Sequence, residues 1–339
     1  MSEKTKRYLY GLMTDDPAVH GPGALSLKAM FRVLSNIYGM AVVLTASFYS
    51  SGTIKPYRPK CKVISIGNIT LGGTGKTPLT IMVARRLKEF GKKTVILTRG
   101  YMKDPSSGIA DEPELFKKAL GDIPVIVGRD RAASAIRAES LYSPDVIILD
   151  DGFQHWRLAR DLDIVAVNGR DPVGNGYLIP RGILREPVPA LERADIIVVT
   201  KGSTLPDIIN EAVSGADIYS SSYRVSGGPD IRGKKVVMAC AIADPSSFEE
   251  TVLSLGAVIE RKMLFMDHHI YEKHDYDMII SAARSSGCDT VVVTEKDMVK
   301  LSRFTPVMDV KIESIPVEIK IDQEERFFGR LGSLFTGKA

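Results

Sequence analysis

The run LGGTGKT, residues 71–77, places Gly72, Gly73, Thr74 and Gly75 directly before Lys76 and Thr77. Glycines in such a loop let main-chain N–H groups turn inward toward phosphate oxygens. Lys76 would then set its ammonium against the β- and γ-phosphates of a nucleotide, and the Thr77 hydroxyl would complete a Mg²⁺ shell otherwise made of waters and phosphates. The strict pattern asks for a glycine at position 70, where this chain carries Thr70. A second stretch, DVIILDDGFQH at 145–155, runs four apolar residues into Asp150 and Asp151. A metal-partnering carboxylate belongs at such a strand end in a nucleotide-binding sheet. Two adjacent carboxylates beside a triphosphate repel it unless a cation lies between them, so the pair points to a metal-bound nucleotide.

These groups need strands and helices to hold them. KVISI precedes the glycine loop, and PLTIMVARRLKEFG follows it with Pro78 in the first turn and Gly91 just past the end. The runs TVILT, PVIVG, DVIILD, DIVAVN and DIIVVT repeat the β-branched pattern, and the helical patterns DEPELFKKALG and RDRAASAIRAESLY separate the early ones. Continuous apolar strands alternating with helices specify a parallel α/β sheet covered on both faces. A polar connector near 201–233 leads to a second α/β set. The sequence therefore divides into an N-terminal region, 1–55, a phosphate-loop lobe, 56–233, and a smaller C-terminal α/β lobe, 234–339.

The net charge of +4 gives no basic field for nucleic acid. Cys61, Cys240 and Cys288 stand far apart without metal-ligand spacing and are expected to pack as small apolar residues. The N-terminus has no apolar core that would make it a cleaved signal. Residues 25–49 form one helical pattern with a wide apolar face, from Leu27, Met30, Phe31, Val33, Leu34, Ile37, Tyr38, Met40, Ala41, Leu44 and Phe48. Lys28, Arg32, Ser35, Asn36 and Gly39 mark a narrow polar stripe, and basic residues flank the segment on both sides. Such a helix suits an anionic membrane surface or the protein's own core, and the pattern leaves both open.

GNITLGGTGKTP and LDDGFQH, with LTRGY (97–101), DEPELF (111–116), GNGYLIPRGILREP (174–187), FMDHH (265–269) and TEKDMVKL (294–301), resemble the tetraacyldisaccharide 4′-kinases, the lipid A kinases of Gram-negative bacteria. The resemblance implies ATP- and Mg²⁺-dependent phosphorylation of the 4′-hydroxyl of an acylated glucosamine disaccharide 1-phosphate. It also implies an N-terminal helix at the cytoplasmic face of the inner membrane. Asp111 then matches the general base and His268 its partner, with His269 the alternative. Lys76 and Asp151 take catalytic places, and Thr77, Asp150 and Glu186 adjoin the metal. Arg99, Arg181 and Arg185 are either phosphate contacts or solvated. A nucleotide-switch or metallochaperone-type ATPase is the alternative reading, against which stands the absence of Cys/His ligand clusters.

Overall fold

The computed structural model describes residues 3–100, 111–202, 204–267 and 269–336. The chain begins with helices α1 (Glu3–Thr14) and α2 (Pro22–Ser50), then β1 (Lys62–Gly67), α3 (Lys76–Glu89), β2 (Thr94–Thr98), α4 (Asp111–Leu120) and β3 (Val125–Val127). It continues through α5 (Arg131–Tyr142), β4 (Val146–Asp150), β5 (Leu162–Asn168), β6 (Ile196–Thr200), α6 (Asp207–Asn210) and β7 (Asp217–Val225). Next come β8 (Lys235–Cys240), α7 (Pro245–Ser254), β9 (Val258–Leu264), α8 (Lys273–Ser285), β10 (Thr290–Thr294), α9 (Glu295–Leu301), β11 (Lys311–Ile315), β12 (Val317–Ile321) and α10 (Glu324–Gly332).

Two compact units result: Met1–Leu97 with Asp130–Ser222 and Ile321–Ala339, and Thr98–Arg129 with Tyr223–Lys320. The second unit is thus made of two chain segments, whereas the sequence reading drew one boundary at 234 and kept everything after it together.

In the first unit, strands run β7-β6-β5-β1-β4-β2 across the sheet. The pairs among them are parallel. Strands β4 and β6 are buried at every position, as a sheet covered on both faces requires. The register sets Ile66 of β1 opposite Asp150 of β4, so the glycine loop and the acidic turn leave adjacent strands side by side. At the other end of the chain, α10 returns to this unit and buries Phe327, Phe328 and Leu331. Phe327 meets Tyr219 of β7 edge to face, and Arg86 of α3 lies over Phe328.

The second unit has a four-stranded parallel sheet, β11-β10-β8-β9, with α8 packed on it. The stretch KIESIPVEIKI, strand-like throughout in sequence, breaks at Pro316 into β11 and β12, since proline cannot donate to a ladder. The TEKD motif caps α9. The Thr294 hydroxyl accepts from the Asp297 N–H, and the buried Asp297 carboxylate accepts from the Ala241 N–H and the Tyr271 hydroxyl.

Helix α2 is 29 residues long, roughly 43 Å at 1.5 Å per residue, and by length and composition could cross a membrane. Its packed side is narrow. Ala24 and Ser35 are buried, and Lys28, Phe31, Tyr38, Gly39, Val42 and Tyr49 are partly covered along the same stripe. Lys28 pairs with Asp15 at 2.7 Å, and Ser35 donates to the Leu178 carbonyl at 2.8 Å. The docking face therefore combines Lys28, Ser35 and Gly39 of the polar stripe with Phe31 and Tyr38, and the rest of the apolar face points away from the protein. Met30, Val33, Ile37, Met40, Val43 and Leu44 are all about half exposed. Of the two placements open in sequence, packing on the protein's own core does not describe this face.

The segment 174–186 receives the helix. Asn175 donates to the Met13 carbonyl and to Asp15, while Arg181 forks onto the Asp15 carboxylate at 2.8 and 2.9 Å. Burial opposes the charged form of Asp15, but Lys28, Asn175 and Arg181 outweigh it and bring its pKa down to about 2. Gly182 sits where a Cβ would lie 2.2 Å from the Tyr177 carbonyl oxygen. Gly182→Ala should therefore destabilise the protein by roughly 1–3 kcal/mol through forced backbone movement. A thermal melt showing a midpoint within a degree of wild type would contradict this packing.

Candidate active site

Strand β1 ends at Gly67, where an added Cβ would meet the Phe153 amide nitrogen at 2.7 Å. Only glycine lets the two loops run this close. Residues 69–71 then pair with 183–185. The Arg185 N–H donates to the Ile69 carbonyl, the Leu71 N–H donates to the Ile183 carbonyl, and Thr70 bridges Leu184 antiparallel. This explains the absent glycine at 70. Thr70 is buried in an extended pairing, with its carbonyl taken by the Asn68 side chain at 2.8 Å. No left-handed conformation is required there. The glycines that need positive φ are present: Gly72 at 103° and Gly75 at 78°, the latter capping the start of α3. Below the loop, the Thr200 hydroxyl donates to the Thr74 carbonyl and Lys201 Nζ to the Gly73 carbonyl, at 3.1 and 2.9 Å. Those two carbonyls are thereby engaged from beneath.

Lys76 opens α3, and its Nζ lies 3.5 Å from Asp151 Oδ1. Asp151 sits in the left-handed region, φ 53°, which aspartate tolerates better than most residues and which turns the chain sharply after β4. Its carboxylate takes a two-pronged bond from Arg185, at 2.7 and 2.9 Å. Burial pushes the Asp151 pKa up, but the charges of Lys76 and Arg185 overcome it and hold the carboxyl well below the usual range. Asp150 is buried at the end of β4, 3.4 Å from the Thr80 hydroxyl on α3. Thr80 lies three residues beyond Thr77, so the two hydroxyls share a helix face.

Glu186 is buried, with Oε1 accepting from Gln154 and Arg193 at 3.0 and 3.1 Å. Its Oε2 pairs with the Arg193 charge at 3.0 Å, yet has no hydrogen bond of suitable angle. Gln154 ties the system together, since it also donates to the Asn68 carbonyl and accepts from Arg185.

The structure thus gathers Lys76, Asp150, Asp151 and Glu186 around the Gly72–Thr77 loop. Arg181 and Arg185 are neither solvated nor idle, for one holds Asp15 and the other Asp151. Asp111 opens α4, but its side chain and the whole of His268 lie outside the described residues. His269 lies 2.9 Å from Asp275 and stacks on Phe265, within the second unit's own packing. Sequence reasoning missed Arg193, Gln154 as a network donor, and Lys201 beneath the loop. GFQH was visible within LDDGFQH, but nothing local marks Arg193, whose role comes from the fold alone.

A glycine loop between strand and helix, with acids on the neighbouring strand end, defines a phosphate-loop nucleotide site of the kinase and NTPase kind. Comparison narrows it: residues 27–335 match the family model for tetraacyldisaccharide-1-phosphate 4′-kinase, LpxK, and the chain belongs to that family, phosphotransferases of lipid A biosynthesis. The tetraacyldisaccharide 4′-kinase of Geobacter metallireducens is 36% identical over 87% of this chain and 97% of its own length. That of Halothermothrix orenii is 34% identical over 89% of this chain and 90% of its own. The crystal structure of LpxK from Aquifex aeolicus in complex with ATP is similar at TM-score 0.70 and 25% identity, covering 91% of this chain and 99% of that one.

Because the folded-state pKa of Asp151 is depressed, its charge stabilises the protein above the unfolded value near 4 and ceases to do so as pH falls toward the folded one. The unfolding free energies of wild type and Asp151→Asn should therefore differ by a constant amount above about pH 5 and converge below about pH 4. Urea titrations across that range check it, and a gap that widens on acidification contradicts the ion cluster.

Proposed function

We propose that this chain moves the γ-phosphoryl group of ATP to the 4′-hydroxyl of an acylated glucosamine disaccharide 1-phosphate at the cytoplasmic face of the inner membrane. The observation that carries the reading is the pairing of Ile66 with Asp150, which sets the acidic turn beside the glycine loop with Lys76 reaching Asp151. Main-chain donors of Gly72–Gly75 and the N-terminus of α3 receive the phosphates. Lys76 exchanges Asp151 for phosphate oxygens, while Arg185 keeps that carboxylate oriented. Asp111, oriented by His268, accepts the proton of the 4′-hydroxyl as its oxygen bonds to the γ-phosphorus. The bond from that phosphorus to the bridging oxygen breaks, and ADP leaves with the electron pair. Alignment and neutralised charge supply most of the acceleration.

The residues fit Mg²⁺. Among the described residues no cluster of three His, Cys, Asp or Glu side chains could enclose a metal ion. That suits an ion bound by one or two protein groups and otherwise by water and phosphate. Thr77 and Asp150 would hold it, with Glu186, whose carboxylate Arg193 already pairs, close by. Bound there, Mg²⁺ would supply neutralisation of the phosphate charge.

The outward apolar face of α2, with exposed Lys4 and Arg7 on the preceding helix α1 and exposed Lys55, Arg58 and Lys60 following α2 in the chain, supports a helix lying in an anionic lipid surface. Its substrate carries acyl chains, so enzyme and acceptor share one interface.

Transfer of ³²P from ATP to the acylated disaccharide 1-phosphate tests the reaction. Lys76→Ala and Asp111→Ala should each cost about 10²-fold or more in kcat/KM. Transfer undiminished in both variants would remove the assigned roles. Replacing Val33, Met40 and Leu44 together by serine should weaken binding to phosphatidylglycerol vesicles about tenfold or more, because each leaves a lipid contact. Sedimentation with unchanged vesicle affinity would reject the outward face as the membrane contact.

A further inference from the structure

Helix α2 does more than present an apolar face, because two of its tyrosines contact residues that hold the charged groups of the phosphate site. Tyr38 donates its hydroxyl to the main-chain carbonyl of Arg185 at 2.8 Å. The guanidinium of the same Arg185 grips Asp151. Three turns further on, Tyr49 stacks on Trp156, with ring centroids 5.9 Å apart and planes inclined by 21°. Trp156 lies against the Arg193 guanidinium at 4.1 Å, and Arg193 pairs with Glu186 at 3.0 Å. Consecutive residues of the site, Arg185 and Glu186, are thus each held from α2 by a separate route. Both tyrosines lie on the half-buried docking stripe, away from the lipid-facing side. Gly39 fixes the helix at the same segment, since a Cβ there would come 2.8 Å from the Leu178 side chain.

We propose that Tyr38 and Tyr49 are positioning residues of the phosphotransfer site, so that the seating of α2 in a lipid surface and the binding of nucleotide at the glycine loop are coupled. Through Tyr38 the helix sets the main chain that carries the Arg185 fork onto Asp151. Through Tyr49 and Trp156 it sets the Arg193 that orients Glu186. Linkage makes the effect reciprocal: if lipid favours the ordered site, Mg·ATP strengthens the grip of α2 on lipid by the same factor. The proposal rests on the kinase reading above, and one of its readouts is independent of phosphate transfer.

The test uses the full chain with vesicles of phosphatidylethanolamine and phosphatidylglycerol. Tyr38→Phe keeps the ring and loses only the hydroxyl. It should lower kcat five- to twentyfold while leaving the lipid KM and the nucleotide-free vesicle affinity within twofold, the pattern of an interaction made at the chemical step. Tyr49→Ala should do the same and shift the emission of Trp156, the chain's single tryptophan. Tyr49→Phe, which retains the stack, should restore both. Mg·ATP should raise the vesicle affinity of wild type threefold or more and that of Tyr38→Phe by less than half that factor. Should wild type transfer no phosphate, the kinase reading falls while the nucleotide-dependent vesicle affinity still decides the coupling. Wild-type affinity indifferent to Mg·ATP overturns the proposal. So does a Tyr38→Phe variant with unchanged kcat, or one whose only defect is a lower melting temperature with weaker vesicle binding.

Discussion

The carboxylate of Asp151, shared between Lys76 and Arg185, is the constraint around which the first unit is organised. Lys76 belongs to the helix after the glycine loop, Asp151 to the turn after β4, and Arg185 to the segment that pairs with residues 69–71. Three chain segments distant in sequence are thereby locked at one point. With only 16 to 24% of each side chain exposed, the charges are weakly screened, and leaving one without its partner is costly. On the proposed reading, a triphosphate would meet at this point an ammonium already aimed and already balanced. The exchange of one anion for another then needs little reorganisation, which is how preorganised charge serves catalysis.

Much of the first unit was legible because its signals are local. Alternating apolar strands and helices, glycines before Lys76, and two acids at the end of VIIL each follow from short-range physics. The departure at Thr70 was visible but not its reason, which lies in pairing with Leu184 across more than a hundred residues. Arg193 shows the same limit. Its place between Phe153, Trp156 and Glu186 is produced by tertiary packing that no spacing announces. The interrupted second unit was hidden for a related reason. Composition marks a polar connector near 201–233 but says nothing of which compact body residues 98–129 join.

Helix α2 reverses a common inference about amphipathic segments. Lys28, Ser35 and Gly39 of its polar stripe meet the protein together with Phe31 and Tyr38. Small and hydrogen-bonding residues there permit close, specific seating, and the broad apolar surface is left outward. The charges are not wasted on solvent either, since Lys28 reaches Asp15 and Arg32 lies over the ring of Tyr177.

The return of the chain terminus to the first unit has a consequence for biosynthesis. Phe327, Phe328 and Leu331 of α10 close a hydrophobic surface formed by residues translated long before them, among them Tyr219 and the stem of Arg86. That surface stays uncovered during synthesis until α10 has been made, while the greasy helix α2 is made well before it. Between those two points the nascent polypeptide carries two sticky patches, and early capture of α2 by a bilayer would shelter one of them while the other waits for α10.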